Sequence, residues 1–209
     1  MADRRDNDAL PAAPAPPVNL PYPTDLRLDT ESGLVHGAAY LPSPHCDERP
    51  PGTGIDLLVI HAISLPPGQY GGPDVPALFC GTLDCTRRAD YADLAGLRVS
   101  AHFFIRRDGL LLQFVPVHRR AWHAGVSRFA GRERCNDFSL GIELEGCDDD
   151  DFTPAQYTVL TTLTRMLRAV FPAIHAEAIV GHSEIAPGRK TDPGPHFDWA
   201  RYRAALLEQ

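Results

Sequence analysis

The sequence lacks any apolar stretch close to the about 18 uninterrupted residues that a membrane-spanning helix needs. A transmembrane helix is not expected. It also lacks a surplus of positive charge, since 20 Lys and Arg stand against 27 Asp and Glu for a formal net charge of −7. Nucleic acid and anionic membranes are therefore not expected as partners. Cysteine is sparse, and Cys46, Cys80, Cys85, Cys135 and Cys147 form an odd set without a CxxC pair. That excludes a disulfide scaffold, and Cys80 with Cys85 has no second pair to complete a structural zinc site. No apolar run of about 7–15 residues follows Arg4 and Arg5, so neither a Sec nor a twin-arginine export signal is expected. With no internal repeat and no obligatory protein partner evident, the expectation is a cytoplasmic protein with reduced thiols.

What is present suits one ordinary domain: 209 residues, of which 44% are hydrophobic. Six prolines between Pro11 and Pro23, interleaved with alanine, offer little apolar area to bury. Residues 1–22 are expected to be a disordered extension, and 23–209 a single domain.

Beyond Pro23 the chain reads as α/β (α+β), a mixed central β-sheet flanked by helices. "IDLLVIHAI" (55–63) is a short apolar run typical of a central strand, followed by the loop "SLPPGQYGGP". "VSAHFFI" (99–105) and "LLLQFV" (110–115) flank Asp108-Gly109, a dipeptide suited to a tight hairpin with positive φ at both central residues. "FSLGIELEG" (138–146) alternates, placing Ile142 and Leu144 on one face and Glu143 and Glu145 on the other. Thr153, Pro154 and Gln156 open a capped helix whose Tyr157, Leu160, Leu163, Leu167 and Val170 recur at helical spacing. "AEAIVGH" (176–182) reads as a second buried strand and "FDWARYRAALLE" (197–208) as a terminal helix.

Polar residues at the ends of apolar strands are the candidates for chemistry. His61 ends "LLVIH", His182 ends "AIVGH", and Asp192 lies ten residues further on in a loop punctuated by proline and glycine. Two imidazoles and one carboxylate match the ligand count of a catalytic zinc, which keeps a fourth position for water or substrate. Composition alone would also admit His102 or His123 as ligands, although their settings suit support of a ligand or contact with substrate. Glu143 and Glu145 share a strand face, and alternation leaves the choice between them even.

The strings "LLVIHAISLPPGQYGGP", "LRVSAHFFIRRDG", "RAWHAGVS", "GRERCNDFSLGIELEG" and "GHSEIAPGRKTDPGPHFDWARYR" resemble the cytoplasmic AmpD family of N-acetylmuramoyl-L-alanine amidases. The resemblance runs from about Gly33 to the C-terminus. It implies the zinc amidase fold shared with T7-lysozyme-like amidases and peptidoglycan recognition proteins. It also implies cleavage of the lactyl amide between 1,6-anhydro-N-acetylmuramic acid and the stem peptide of a soluble anhydromuropeptide during cell-wall recycling. Carried over by position, the resemblance implies one Zn2+ per chain held by His61, His182 and Asp192. It implies Glu143 and Lys190 as catalytic groups, Arg98 and Arg134 as grips on peptide carboxylates, and Trp122 as a wall of the muramyl site. Ala62 departs from the family string, which has asparagine directly after the first ligand. The rival reading is a peptidoglycan-fragment sensor on the same fold, but sensors usually lack part of the zinc triad.

Overall fold

The computed structural model describes residues 25–207. The extension expected over 1–22 lies outside the described residues. Six strands make one mixed sheet: β1 (Ala39–Tyr40), β2 (Leu57–Ile63), β3 (Phe103–Ile105), β4 (Leu111–Gln113), β5 (Ser139–Glu145) and β6 (Ile179–Gly181). Their spatial order is β6-β2-β5-β3-β4-β1. Strands β6, β2, β5 and β3 run parallel, β4 returns antiparallel to β3, and β1 runs parallel to β4. Four helices accompany the sheet among the described residues: α1 (Asp74–Phe79), α2 (Pro154–Val170), α3 (His182–Ile185) and α4 (Trp199–Leu207).

Alternation along the central strands sorts the sheet into two faces. Leu58 and Ile60 of β2, Phe103 and Ile105 of β3, and Leu140, Ile142 and Leu144 of β5 pack with Leu160, Leu163 and Leu167 of α2. Each such side chain contributes about 1.5–3 kcal/mol when fully buried. The α2 N-terminus is tied to this face by its own cap. Thr153 Oγ1 accepts from the Gln156 N–H at 3.2 Å, while the Gln156 amide accepts from the Thr153 N–H and donates to the Glu145 carbonyl at 2.9 Å.

The opposite face is apolar only in two patches. Leu57 and Val59 pack with Phe138, Ala124 and Ile185, whereas Phe104 and Leu112 pack with Val75, Leu78 and Phe79 of the α1 region. Strand register aligns His61, Glu143 and Phe104 across this face. His61 and Glu143 are therefore neighbouring polar residues near the carboxyl ends of parallel strands, where open α/β sheets bind ligands.

Three local expectations shift. The hairpin between β3 and β4 has positive φ only at Gly109, because its N–H closes a turn onto the Arg106 carbonyl and the Leu110 N–H bonds Asp108 Oδ1. Only Phe103–Ile105 of the run 99–105 is strand, since Ser100 N–H donates to the Trp122 carbonyl instead of extending the pairing with β4. The run 176–182 divides into a 3₁₀ turn, β6 and the first residue of α3.

Candidate metal centre and active site

His61 stands in β2 on the face away from α2, and His182 follows β6 directly as the first residue of α3. Asp192 reaches them by a loop that folds back over the end of β6, where Ser183 N–H donates to the Asp192 carbonyl at 3.0 Å. Gly181 permits that return, since a Cβ there would lie 2.8 Å from Pro193 Cδ. His61 Nδ1, His182 Nδ1 and Asp192 Oδ2 form a triangle with sides of 3.0, 3.0 and 3.1 Å. Among the described residues this is the group of His, Cys, Asp and Glu side chains able to hold a metal ion.

The donor set fits zinc. Ligand bonds of about 2.0–2.1 Å at tetrahedral angles separate neighbouring donor atoms by roughly 3.3 Å, close to the observed triangle. Burial lowers the His61 pKa to about 4 and keeps the imidazole neutral. Burial opposes the Asp192 carboxylate, but hydrogen bonds from His182 and His61 outweigh it and hold its pKa well below the usual range. Those are the protonation states a metal requires of these two ligands.

The outer imidazole nitrogens are also occupied. His61 Nε2 meets His123 Nδ1 at 2.9 Å, and His182 Nε2 meets the Ala124 carbonyl at 3.0 Å. His123 packs so closely on β5 that a Cβ at Gly141 would lie 2.6 Å from its ring. His102 stands further out, accepting the Gly141 N–H on Nδ1 at 3.0 Å and meeting the Arg119 carbonyl through Nε2 at 3.0 Å. Neither His102 nor His123 joins the triangle.

A cavity of about 300 Å³ opens onto the triangle and is lined by Glu143 and Lys190 together with an apolar wall that includes Leu65, Leu78, Leu94 and Leu97. Glu143 is buried, and its Oε2 has no hydrogen-bond partner. Burial first, and then the charge of Asp192, raise its pKa well above the usual carboxyl value, with Lys190 acting in the opposite sense. Glu145 shares that strand face, but its carboxylate accepts from Gly71 N–H at 2.6 Å and Arg107 N–H at 3.0 Å. Its oxygens are committed to two loops.

The three remaining residues lie outside the cavity lining. Arg98 is exposed in a neighbouring depression that shares Leu78, Leu94 and Leu97 with the cavity. Arg134 is exposed beside another depression, whose Arg189 approaches His182 Nε2 at 3.4 Å. Trp122 stacks on His45, with ring centroids 6.2 Å apart, and donates its indole N–H to Asp47 at 3.1 Å. Sequence reasoning missed Asn136, whose Oδ1 accepts the backbone N–H groups of His123 and Ala124. It also missed Arg49, whose guanidinium donates to the carbonyls of Asn136, Asp137, Val117 and Ser139. No periodicity marks either residue, and Asn136 lies in the string "GRERCNDFSLGIELEG" with no feature that singles it out.

Residues 51–195 match the N-acetylmuramoyl-L-alanine amidase family. The 1,6-anhydro-N-acetylmuramyl-L-alanine amidase AmpD of Escherichia coli (strain K12) is 55% identical over 179 residues, which cover 86% of this chain and 97% of that protein. The chain belongs to the AmpD family of N-acetylmuramoyl-L-alanine amidases. A crystal structure of a selenomethionine AmpD derivative superposes on this amidase with a TM-score of 0.82 at 56% identity, covering 86% of this chain and 98% of that one. A complex of the E. coli amidase AmiD with the substrate anhydro-N-acetylmuramic acid-L-Ala-D-gamma-Glu-L-Lys superposes with a TM-score of 0.54 at 30% identity, covering 76% of this amidase and 60% of AmiD. The mixed sheet flanked by helices is thus the fold of this amidase family, as the resemblance implied. No helix among the described residues is long and apolar enough to cross a membrane.

Proposed function

We propose that this amidase hydrolyses the lactyl amide between 1,6-anhydro-N-acetylmuramic acid and the L-alanine of a soluble anhydromuropeptide in the cytoplasm. One zinc ion per chain would be held by His61, His182 and Asp192, and residues 23–209 would work as one catalytic domain. The observation that carries the reading is the meeting, in one cavity, of that donor triangle with the unpartnered carboxyl of Glu143. The names of the E. coli AmpD relative and of the AmiD complex support the choice of substrate.

When bound, zinc supplies Lewis-acid polarisation and a water of lowered pKa. Glu143 takes the proton of the attacking water and passes it to the departing alanine nitrogen, because an amine leaves poorly unless protonated. Its raised proton affinity suits the second half of that task. Lys190 places its ammonium against the charge that develops on the carbonyl oxygen, a role worth about 2.7–4 kcal/mol for comparable donors. Arg98, in a depression that shares its apolar wall with the cavity, and Arg134, in a separate depression, grip the carboxylates of the stem peptide. Trp122 forms a wall of the muramyl site, its ring held by stacking on His45.

The test is to incubate zinc-loaded protein with anhydromuropeptide and follow free peptide by mass spectrometry, with intact murein alongside. Release from the soluble fragment but not from murein is expected. Binding without release would replace the enzyme reading by a sensor.

A further inference from the structure

The two imidazoles of the donor triangle share one outer support. His61 Nε2 meets His123 Nδ1 at 2.9 Å, and His182 Nε2 meets the carbonyl of the next residue, Ala124, at 3.0 Å. The backbone N–H groups of these same two residues donate to a single atom, Asn136 Oδ1, at 3.1 and 2.8 Å. On its far side, His123 Nε2 lies 3.0 Å from Ser139 Oγ.

Proton positions follow from this chain of contacts. When His61 Nδ1 serves as a ligand, its Nε2 carries the proton and donates to His123 Nδ1. His123 must then donate from Nε2 to Ser139. A carbonyl has no proton to give, so His182 Nε2 is the donor toward Ala124 and its Nδ1 is left as the lone pair. Asn136 is itself held, since its own carbonyl accepts from Arg49 Nη1 at 3.1 Å.

We propose that Asn136 is a positioning residue for the metal centre. It touches neither imidazole, yet its amide oxygen holds the backbone of His123 and Ala124, whose side chain and carbonyl respectively set the orientation and tautomer of His61 and His182. This inference rests on the reading of His61, His182 and Asp192 as a metal site.

The experiment compares wild type, Asn136→Leu and Asn136→Asp by competition with a chelator for zinc and by the visible spectrum of the cobalt-loaded protein. Asn136→Asp keeps an acceptor oxygen and is expected to bind zinc within about threefold of wild type. Asn136→Leu keeps the branching and number of heavy atoms and loses the acceptor, and is expected to lose about 10–100-fold in zinc affinity and to shift the cobalt bands. Unchanged affinity and spectrum in Asn136→Leu, or an equal loss in both variants, would overturn the positioning role. Should Asn136→Leu not fold, His123→Asn and His123→Leu put the same question to the next link. Asn offers Oδ1 near the place of Nδ1, so it is expected to bind zinc more tightly than Leu, and equal affinities would overturn the proposal. A wild type that takes up neither zinc nor cobalt removes the metal reading first and this inference with it. A metal-binding wild type beside an unaffected Asn136→Leu removes the positioning role alone.

Discussion

Glu143 and Glu145 are the same residue type on the same face of the same strand, and their neighbours alone give them different chemistry. Glu145 is held by N–H groups 74 and 38 residues away in sequence, whereas Glu143 lines the cavity and its buried Oε2 has no partner. Alternation could not separate them, because the deciding contacts come from distant loops. Glu143→Gln is expected to keep bound metal and lose turnover, read as metal content beside peptide release; Glu145→Gln is expected to retain turnover and lose stability. The same substitution has a signature in the metal-free protein. An acid with a raised folded pKa binds more protons folded than unfolded, so stability falls as pH rises above the unfolded value of about 4.3. Glu143→Gln removes that loss and should raise Tm at pH 7 by about 2–4 °C per kcal/mol relieved, with the gain gone at pH 4. A melting curve unchanged at both pH values would contradict the buried, uncompensated carboxyl. Lys190→Met should lower kcat by about 10²–10³ at unchanged metal content.

At the scale of elements, the sequence was legible wherever a local pattern decides the structure. Strands β2 and β5 and helix α2 fall within a residue or two of their apolar runs, and the Thr153–Gln156 capping box forms as its spacing predicts. Helix α1 was not legible, because it starts where the loop "SLPPGQYGGP" ends and its burial comes from tertiary partners. The donor triangle was approached through strand ends, but its outer support depends on Asn136 and Arg49 reaching across the fold, which no local pattern encodes. Glycine offers a test of how tightly elements fix the triangle. Gly181→Ala would drive a Cβ to 2.8 Å from Pro193 Cδ, displacing the residue next to Asp192. Zinc affinity is expected to fall by about tenfold or more. An affinity equal to wild type would show that the loop can yield without moving its carboxylate.

Over the whole molecule, buried neutral histidines tie folding to pH. Burial holds His61 at about 4 and His102 at about 3, and lowers His123 well below its ordinary value; the half-buried guanidinium of Arg49 adds to the effect on His102 and His123. Each folded pKa lies below the unfolded value of about 6.5, so the unfolded chain binds more protons as pH falls. Stability from these residues is complete above about 6.5 and is lost as pH drops toward their folded values. Each contributes a slope of about 1.4 kcal/mol per pH unit inside that window. Urea unfolding of the metal-free protein at pH 7, 6 and 5 should therefore show a steep loss below about 6.5. His102 isolates one share of it, because it lies outside the donor triangle and its two nitrogens serve Gly141 and Arg119. His102→Gln is expected to be less stable at pH 7, since a shorter side chain does not span both partners, and to follow a shallower pH dependence by about 1.4 kcal/mol per unit. Curves for wild type and His102→Gln that run parallel from pH 7 to 5 would mean that His102 does not enter the folded state neutral, and would move the acid sensitivity to other groups.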